Sequence, residues 1–253
     1  MEKYLIMKNI FKIHPLYYLV AIMAILTGLF KDFIYITLLI FIHEVGHNVG
    51  ALIYNWKIKK VVILPFGGIT IFDELINKSL KEEFVILILG PLFQILFYFI
   101  LCILNIENEL ITGYHYSLLI FNMLPIIPLD GSKLLNIILN KITSFNKSHL
   151  LTIYISIITI IILIIKKKNL MLYMIIFFIL LKVIKEYKEH KYIFNKFLFE
   201  RYNYNLKFKK TKIIKGINLK KMKKDYKHLF YKEKYYTEKE ILKKYFNRMY
   251  NCK

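Results

Sequence analysis

The sequence predicts an all-α polytopic membrane protein with a small β-hairpin and a basic tail. Of its 253 residues, 57% are hydrophobic, and the mean hydropathy is +0.45, which excludes an ordinary water-soluble globular domain. A helix needs about 20 residues to cross the hydrocarbon core of a bilayer. Six apolar runs approach that length and are the candidate spans: residues 16–30, 33–54, 84–104, 114–139, 150–165 and 170–184.

Lysines in the loops predict the orientation of these spans. The segments before residue 16, between the second and third runs, and after residue 184 contain lysine, whereas the only charged residues of 105–113 are Glu107 and Glu109. Because cytoplasmic loops are enriched in Lys and Arg, both ends should be cytoplasmic. In an arrangement of six full crossings, the three lysines at 166–168 would face the side opposite to the other lysine-bearing loops. Either they are tolerated on the far side, or the last two runs form a hairpin that crosses incompletely.

The second run contains His43-Glu44-Val45-Gly46-His47. Residues four apart share one face of a helix, so both imidazoles can bind one Zn²⁺. Glu44 lies on the adjoining face, where its carboxylate can take a proton from water and pass it to a leaving amine. A chance match with merely hydrogen-bonded histidines is the alternative. Ionisable side chains at hydrocarbon depth cost roughly 2.5 kcal/mol or more and are kept mainly for function, which favours the metal site.

Residues 57–72 connect the second and third runs and are rich in Ile and Val around the sequence PFGG at 65–68. Two short β-branched runs about a Gly-Gly turn predict a β-hairpin. Its edge must be covered or lie at the interface, because lipid leaves backbone groups unsatisfied. The edge could accept an extended peptide, which makes Gly67 and Gly68 candidate substrate-binding residues. An ordinary connecting loop is the alternative.

The fourth run is interrupted at residues 122–131, NMLPIIPLDG. Two prolines and a glycine remove helical hydrogen bonds and break the span. Asp130 then either ligates a metal or caps the restarted helix. Ligation is favoured because the second and fourth spans run in the same direction, so both motifs can meet at one depth, nearer the cytoplasmic side. Two histidines, an aspartate and a water form an open catalytic zinc site. Asn122 would contact a substrate backbone or a freed carbonyl.

The two motifs together resemble those of the site-2 intramembrane metalloproteases. The resemblance covers about residues 1–190 and is carried by HEVGH at 43–47 and by Asn122, Pro125, Pro128 and Asp130. The compact form, with a Gly67-Gly68 hairpin and no inserted PDZ domain, is most similar to the branch of stage IV sporulation protein FB.

The resemblance implies a zinc-dependent intramembrane endopeptidase with one Zn²⁺. His43, His47 and Asp130 would be the ligands, Glu44 the acid/base, and Asn122, Pro125 and Pro128 would shape the site and hold substrate. For the sporulation branch it implies a membrane-associated sigma-factor precursor as substrate, inhibitory membrane partners, and a place in the outer forespore membrane. Longer members end in a CBS domain that links activity to nucleotide, and the 63 residues after 190 are too few for one, so whether nucleotide regulates this chain is left open.

The last 63 residues form the basic tail. Residues 191–253 contain 20 Lys/Arg and 5 Asp/Glu, which contribute +15 of the net charge of +21. Its many tyrosines and phenylalanines argue against a disordered run. The sequence TEKE at 237–240 has the spacing of a capping box, and predicts a helix over 241–250. The tail could bind anionic membrane lipid or dock an acidic protein. Nucleic acid is not an expected partner, because a membrane tether explains the charge more simply.

Two other classes of function remain open. One is a non-sporulation membrane metalloprotease, including the type whose third metal ligand is a glutamate. The other is a non-catalytic membrane scaffold or transporter with a basic docking tail. Zinc binding that depends on His43, and cleavage that depends on Glu44 and Asp130, separate these classes.

Overall fold

The structure is a computed structural model that describes residues 11–64, 67–166 and 170–251. The chain divides into two compact units. The first comprises the described residues of Met1–Glu74 and Glu82–Met123, and the second those of Leu75–Lys81 and Leu124–Lys253. The predicted domain division at residue 190 stays a prediction.

The first unit combines a small sheet with apolar helices. In chain order its elements are β1 (Phe11–Ile13), α1 (Pro15–Leu26), α2 (Phe30–Ile53), β2 (Ile58–Leu64), β3 (Gly67–Phe72), α3 (Leu80–Ile103) and α4 (Glu109–Met123). The first two residues of α3 belong to the second unit. Helix α2 packs against α4 and against β3, which brings the hairpin to the HEVGH helix.

The predicted hairpin is confirmed. Strands β2 and β3 pair antiparallel, with Val61 opposite Thr70 and Ile63 opposite Gly68. Pro65 and Phe66 of the predicted turn lie outside the described residues. The hairpin also carries β1, which pairs parallel with β2. This third strand covers one edge of β2, and it lies in a segment that the sequence did not predict as a strand.

Glycines allow helices α2 and α3 to approach closely. A Cβ at Gly46 would lie 2.9 Å from the Cα of Gly90, and a Cβ at Gly50 would lie 2.9 Å from the Cα of Ile86. Real Cβ atoms do not come this near to backbone, so a larger residue would push the helices apart. Small residues serve this purpose in membrane helices, where van der Waals packing replaces the hydrophobic effect as the driving force.

The predicted break in the fourth run is confirmed. Helix α4 ends at Met123, and the next helix, α5, covers Asp130–Ile142. Proline cannot donate a helical hydrogen bond, and two prolines occupy the connection. Ser156 satisfies backbone groups there: its hydroxyl donates to Pro125 O at 3.2 Å and accepts from Ile127 N at 3.1 Å.

The second unit continues with helices and a separate small sheet. Its elements after α5 are α6 (Phe145–Lys166), α7 (Leu170–Asn203), β4 (Lys210–Lys215), a 3₁₀ turn (Leu219–Lys221), β5 (Tyr226–Tyr231), β6 (Tyr235–Thr237) and α8 (Glu238–Asn251). Strand β5 lies between β4, which it pairs in parallel, and β6, which it pairs antiparallel. The basic tail therefore folds, around the fully buried side chains of Phe197, Leu198, Met222, Phe230 and Leu242.

The predicted capping box at the last helix is confirmed. Thr237 Oγ1 accepts from Glu240 N at 3.3 Å, while a Glu240 carboxylate oxygen accepts from Thr237 N at 3.1 Å. The helix begins at Glu238, three residues before the predicted start, because the box encloses its first turn.

Three helices among the described residues are long and apolar enough to cross a membrane: Phe30–Ile53, Leu80–Ile103 and Phe145–Ile165. Helix α1 is apolar but shorter. The count of six spans and the orientation stay predictions, and Lys167 and Lys168 of the discordant loop lie outside the described residues.

Candidate metal centre

His43 and His47 lie one turn apart on α2, and both are buried, with 2% and 5% of their surface exposed. Their Nε2 atoms are 3.1 Å apart. The four-residue spacing predicted this shared face, and the structure confirms it.

The other nitrogen of each ring faces an oxygen. His47 Nδ1 lies 2.8 Å from the carbonyl oxygen of Ile86, and His43 Nδ1 lies 3.0 Å from Gln94 Oε1. A carbonyl or amide oxygen can only accept, so each Nδ1 carries the proton and each Nε2 presents a lone pair. Two lone pairs at 3.1 Å repel each other unless a cation attracts both. Neutral imidazoles held through the second nitrogen are the usual protein ligands of zinc. The pair therefore fits a zinc ion.

Glycine on α3 makes room for the His47 ring. A Cβ at Gly90 would overlap the imidazole and would lie 2.8 Å from His47 Nδ1. The ring thus occupies the space that any larger side chain at this position would need. Glycines therefore account both for the close approach of α2 and α3 and for the space that the His47 ring occupies.

The carboxylate of Glu44 is held by the hairpin. Only 8% of the residue is exposed, and Thr70 Oγ1 on β3 donates to Glu44 Oε2 at 2.9 Å. Gly68 lies directly against the glutamate, since a Cβ there would overlap the Glu44 side chain. A hydroxyl donor stabilises the ionised form of a carboxylate and fixes its direction. The hairpin therefore positions the predicted acid/base.

A cavity of about 390 Å³ opens beside Glu44 in the first unit. Its walls come from α1, α2 and β2 and are mostly apolar, with Glu44, Asn48 and Thr37 among the polar lining residues. A cavity of this size can hold several side chains of an extended apolar peptide.

Asp130, in the second unit, is the first residue of α5 and is 7% exposed. Leu129, and not Asp130, is the N-cap residue of α5, and the Leu129 side chain makes no capping hydrogen bond. The Asp130 carboxylate instead accepts from Lys133 Nζ at 2.9 Å. Asp130 is thus buried, as His43 and His47 are in the first unit, and its role as the third metal ligand stays a prediction.

The remaining predicted site residues lie in three places. Asn122 is half-buried in the last turn of α4, and Pro125 and Pro128 occupy the connection to α5. Gly67 and Gly68 begin β3. Their predicted contacts with substrate stay predictions.

Sequence reasoning missed three residues of the site, namely Thr70, Gln94 and Gly90. Gln94 lies in the apolar sequence LGPLFQILF of a candidate span, where a polar side chain is unusual, and this signal could have found it. Thr70 alternates with apolar residues in β3 and has no such signal.

Comparison with known proteins supports this description. The family model described as peptidase family M50 matches residues 32–113. The chain is 35% identical over 202 residues to stage IV sporulation protein FB of Bacillus subtilis (strain 168), an alignment that covers 75% of this chain and 70% of the relative. It is 32% identical over 126 residues to a zinc metalloprotease of Methanocaldococcus jannaschii, covering 46% of this chain and 36% of that protein.

A solved structure is also similar. The site-2 protease from Methanocaldococcus jannaschii superposes with a TM-score of 0.56 at 26% identity, covering 70% of this chain and 89% of that one. A likeness of this extent supports a shared fold.

Proposed function

Since the chain belongs to peptidase family M50, the site-2 proteases, we propose that it removes the pro-sequence of a membrane-associated sigma-factor precursor during sporulation. The protein is a membrane metalloprotease of the site-2 type, and its apolar helices are those of an integral membrane protein. The finer proposal is supported by 35% identity to a sporulation protein over most of both chains. It includes a place in the outer forespore membrane, with the site nearer the cytoplasmic face.

In this proposal His43, His47 and Asp130 hold one zinc ion. The single observation that carries it is the pair of imidazoles whose Nδ1 protons are both engaged, which turns two Nε2 lone pairs toward the same point. Asp130 supplies the negative charge that two neutral histidines lack. Its carboxylate is buried, which favours a role as a ligand over that of an ordinary solvent-exposed side chain. Bound zinc supplies Lewis acidity, which polarises a peptide carbonyl and acidifies a water molecule.

Glu44 acts as the general base and then as the general acid. Its carboxylate accepts the proton of the attacking water and delivers it to the leaving nitrogen. Thr70 holds one carboxylate oxygen and leaves the other for this transfer. The substrate must be extended near the scissile bond, because a helix engages its own carbonyls in hydrogen bonds. The edge of β3 and the apolar cavity beside Glu44 would receive such a segment, with Asn122, Pro125 and Pro128 shaping its path.

The test is co-expression with a sigma-factor precursor, with metal analysis of the purified protease. Wild type should contain one equivalent of zinc and shorten the precursor at its N-terminus. Glu44→Gln should abolish cleavage and keep zinc, whereas His43→Ala and Asp130→Ala should lose both. Cleavage that survives Asp130→Asn would contradict the ligand set. Zinc-dependent cleavage of other membrane substrates, with the precursor left intact, would retain the protease and overturn the sporulation substrate.

A further inference from the structure

Gln94 is an amide at the centre of the first unit. It lies in the middle of α3 with 0% of its surface exposed, and it contacts α2 and α4 through opposite ends of its side chain. Oε1 lies 3.0 Å from His43 Nδ1 on α2, and Nε2 lies 3.0 Å from the carbonyl oxygen of His115 on α4.

The hydrogen bond to His115 determines which way the amide points. A backbone carbonyl can only accept, so the Gln94 nitrogen must face His115 and the oxygen must face His43. In that orientation the amide oxygen accepts the Nδ1 proton of His43. The tautomer of His43 on α2 therefore depends on the hydrogen bond between Gln94 on α3 and His115 on α4. These two residues are 21 positions apart in the sequence.

The acceptor on α4 is itself fixed. The His115 ring stacks on Tyr98, with ring centroids 4.2 Å apart and planes 11° from parallel. The hydroxyl of Tyr98 lies 3.0 Å from Thr112 Oγ1, one turn before His115. These contacts tie α3 to α4 one turn after Gln94. The amide cannot turn without losing its buried hydrogen bond to the His115 carbonyl.

We propose that Gln94 is a positioning residue that sets the tautomer of His43 and thereby the affinity of the site for zinc. The inference rests on the proposed function in taking His43 as a ligand. The Gln94 amide accepts the second ring proton of a candidate metal ligand, a role that a carboxylate often has for metal-bound histidines. A neutral amide does so without adding a charge inside an apolar span. Loss of such a partner typically costs 10–100-fold in metal affinity.

Two variants of matched size separate the hydrogen bond from packing. Gln94→Met keeps the length of the side chain and removes both hydrogen bonds, so zinc should bind about 10–100-fold more weakly. Gln94→Glu keeps a side-chain oxygen that accepts the Nδ1 proton of His43, and should restore binding to within about threefold. Tyr114→Phe is the control, because it removes a different hydrogen bond between α4 and α2, from the Tyr114 hydroxyl to Asp32 at 2.6 Å, and should bind zinc as wild type does.

The measurement is the zinc dissociation constant of the full chain in detergent, obtained by competition with a chelator dye. The visible spectrum of the Co²⁺-substituted protein gives a second readout that does not depend on activity. Cobalt bands altered in Gln94→Met and restored in Gln94→Glu support the proposal. Wild-type affinity and spectrum in Gln94→Met overturn it. If wild type itself binds no zinc, it is the proposed function that fails.

A measurement on the wild-type chain covers the case in which Gln94→Met does not fold. Nitrogen-15 spectra of the metal-free protein, assigned with His43→Asn, report which ring nitrogen of His43 carries the proton. A proton on Nδ1 is the expected result. An Nδ1 without a proton would overturn the proposal whatever the variants do.

Discussion

The Thr70 hydroxyl on the hairpin donates to Glu44 Oε2 on α2 at 2.9 Å, so a β-strand holds the carboxylate that a helix supplies. The two residues are 26 positions apart. In the proposed mechanism, this bond gives the hairpin a role in the chemistry in addition to any contact with substrate.

Thr70→Val should slow cleavage while leaving zinc in place. Valine has the shape of threonine but cannot donate, and a hydrogen bond to a charged group contributes about 1.5–3 kcal/mol. The expected loss in kcat is therefore about 10–100-fold, measured on the precursor or a peptide substrate. Thr70→Ser should recover most of the rate because it keeps the hydroxyl. Equal rates for the valine and serine variants would show that the bond does not act on Glu44.

Gly90→Ala should weaken zinc binding, because the added methyl group would overlap the His47 ring and force it or α3 to move. We expect at least a tenfold rise in the zinc dissociation constant, together with loss of cleavage. The matched control is Gly113→Ala on α4, where a Cβ meets nothing within 4 Å. A zinc affinity unchanged in Gly90→Ala would mean that His47 can rearrange or is not a ligand.

Arg201→Met should destabilise the folded tail. The Arg201 guanidinium is buried and donates to Glu238 at 2.8 Å, to Asn77 at 2.7 Å and to the carbonyl of Tyr226 at 2.9 Å. Removing one partner of a buried pair leaves the other charge uncompensated, which costs about 3–5 kcal/mol. Hydrogen exchange of β5 and α8 should report that loss.

The control for Arg201 is the exposed pair Lys185–Glu189, whose atoms are 3.8 Å apart. Lys185→Met should change the protection of the same amides by no more than about 0.5 kcal/mol, as is usual for surface pairs. Similar effects of the two substitutions would contradict the structural role of the buried pair.

The tail should lose stability as pH falls below about 6.5, and His228 is one cause. Burial is the largest effect on the pKa of His228 and lowers it from its ordinary value of 6.5. Arg201 lowers this pKa further, against the opposing effect of Glu238. His228 Nε2 also accepts from Lys223 N at 3.0 Å, which requires a neutral ring. The unfolded chain therefore binds the proton first, so stability is lost as pH falls through the unfolded pKa.

His228→Gln should flatten this dependence, since the amide can accept from Lys223 N but does not titrate. The measurement is the thermal midpoint of the tail between pH 5 and pH 8 in wild type and in the variant. Substituting the exposed His14 by Asn, which keeps its capping acceptor, should leave the slope unchanged. A wild-type slope in His228→Gln would exclude His228 as the source.

Local signals in the sequence determined a large part of this protein. The four-residue spacing of His43 and His47 is a property of one helix, the break before Asp130 follows from proline chemistry, and the capping box at Thr237 spans a single turn. Each pattern acts within a few residues, so each could be interpreted without knowing where the rest of the chain lies.

Only the tertiary structure decided what surrounds those groups. The bond from Gln94 to His43 joins residues 51 apart, Gly90 meets His47 across two helices, and the aromatic core of the tail comes from segments with no shared pattern. An amide, a glycine or a threonine has many roles, and its partner depends on how helices and strands pack. The sequence by itself determined which groups could do the chemistry, and packing decided their tautomers, orientations and supports.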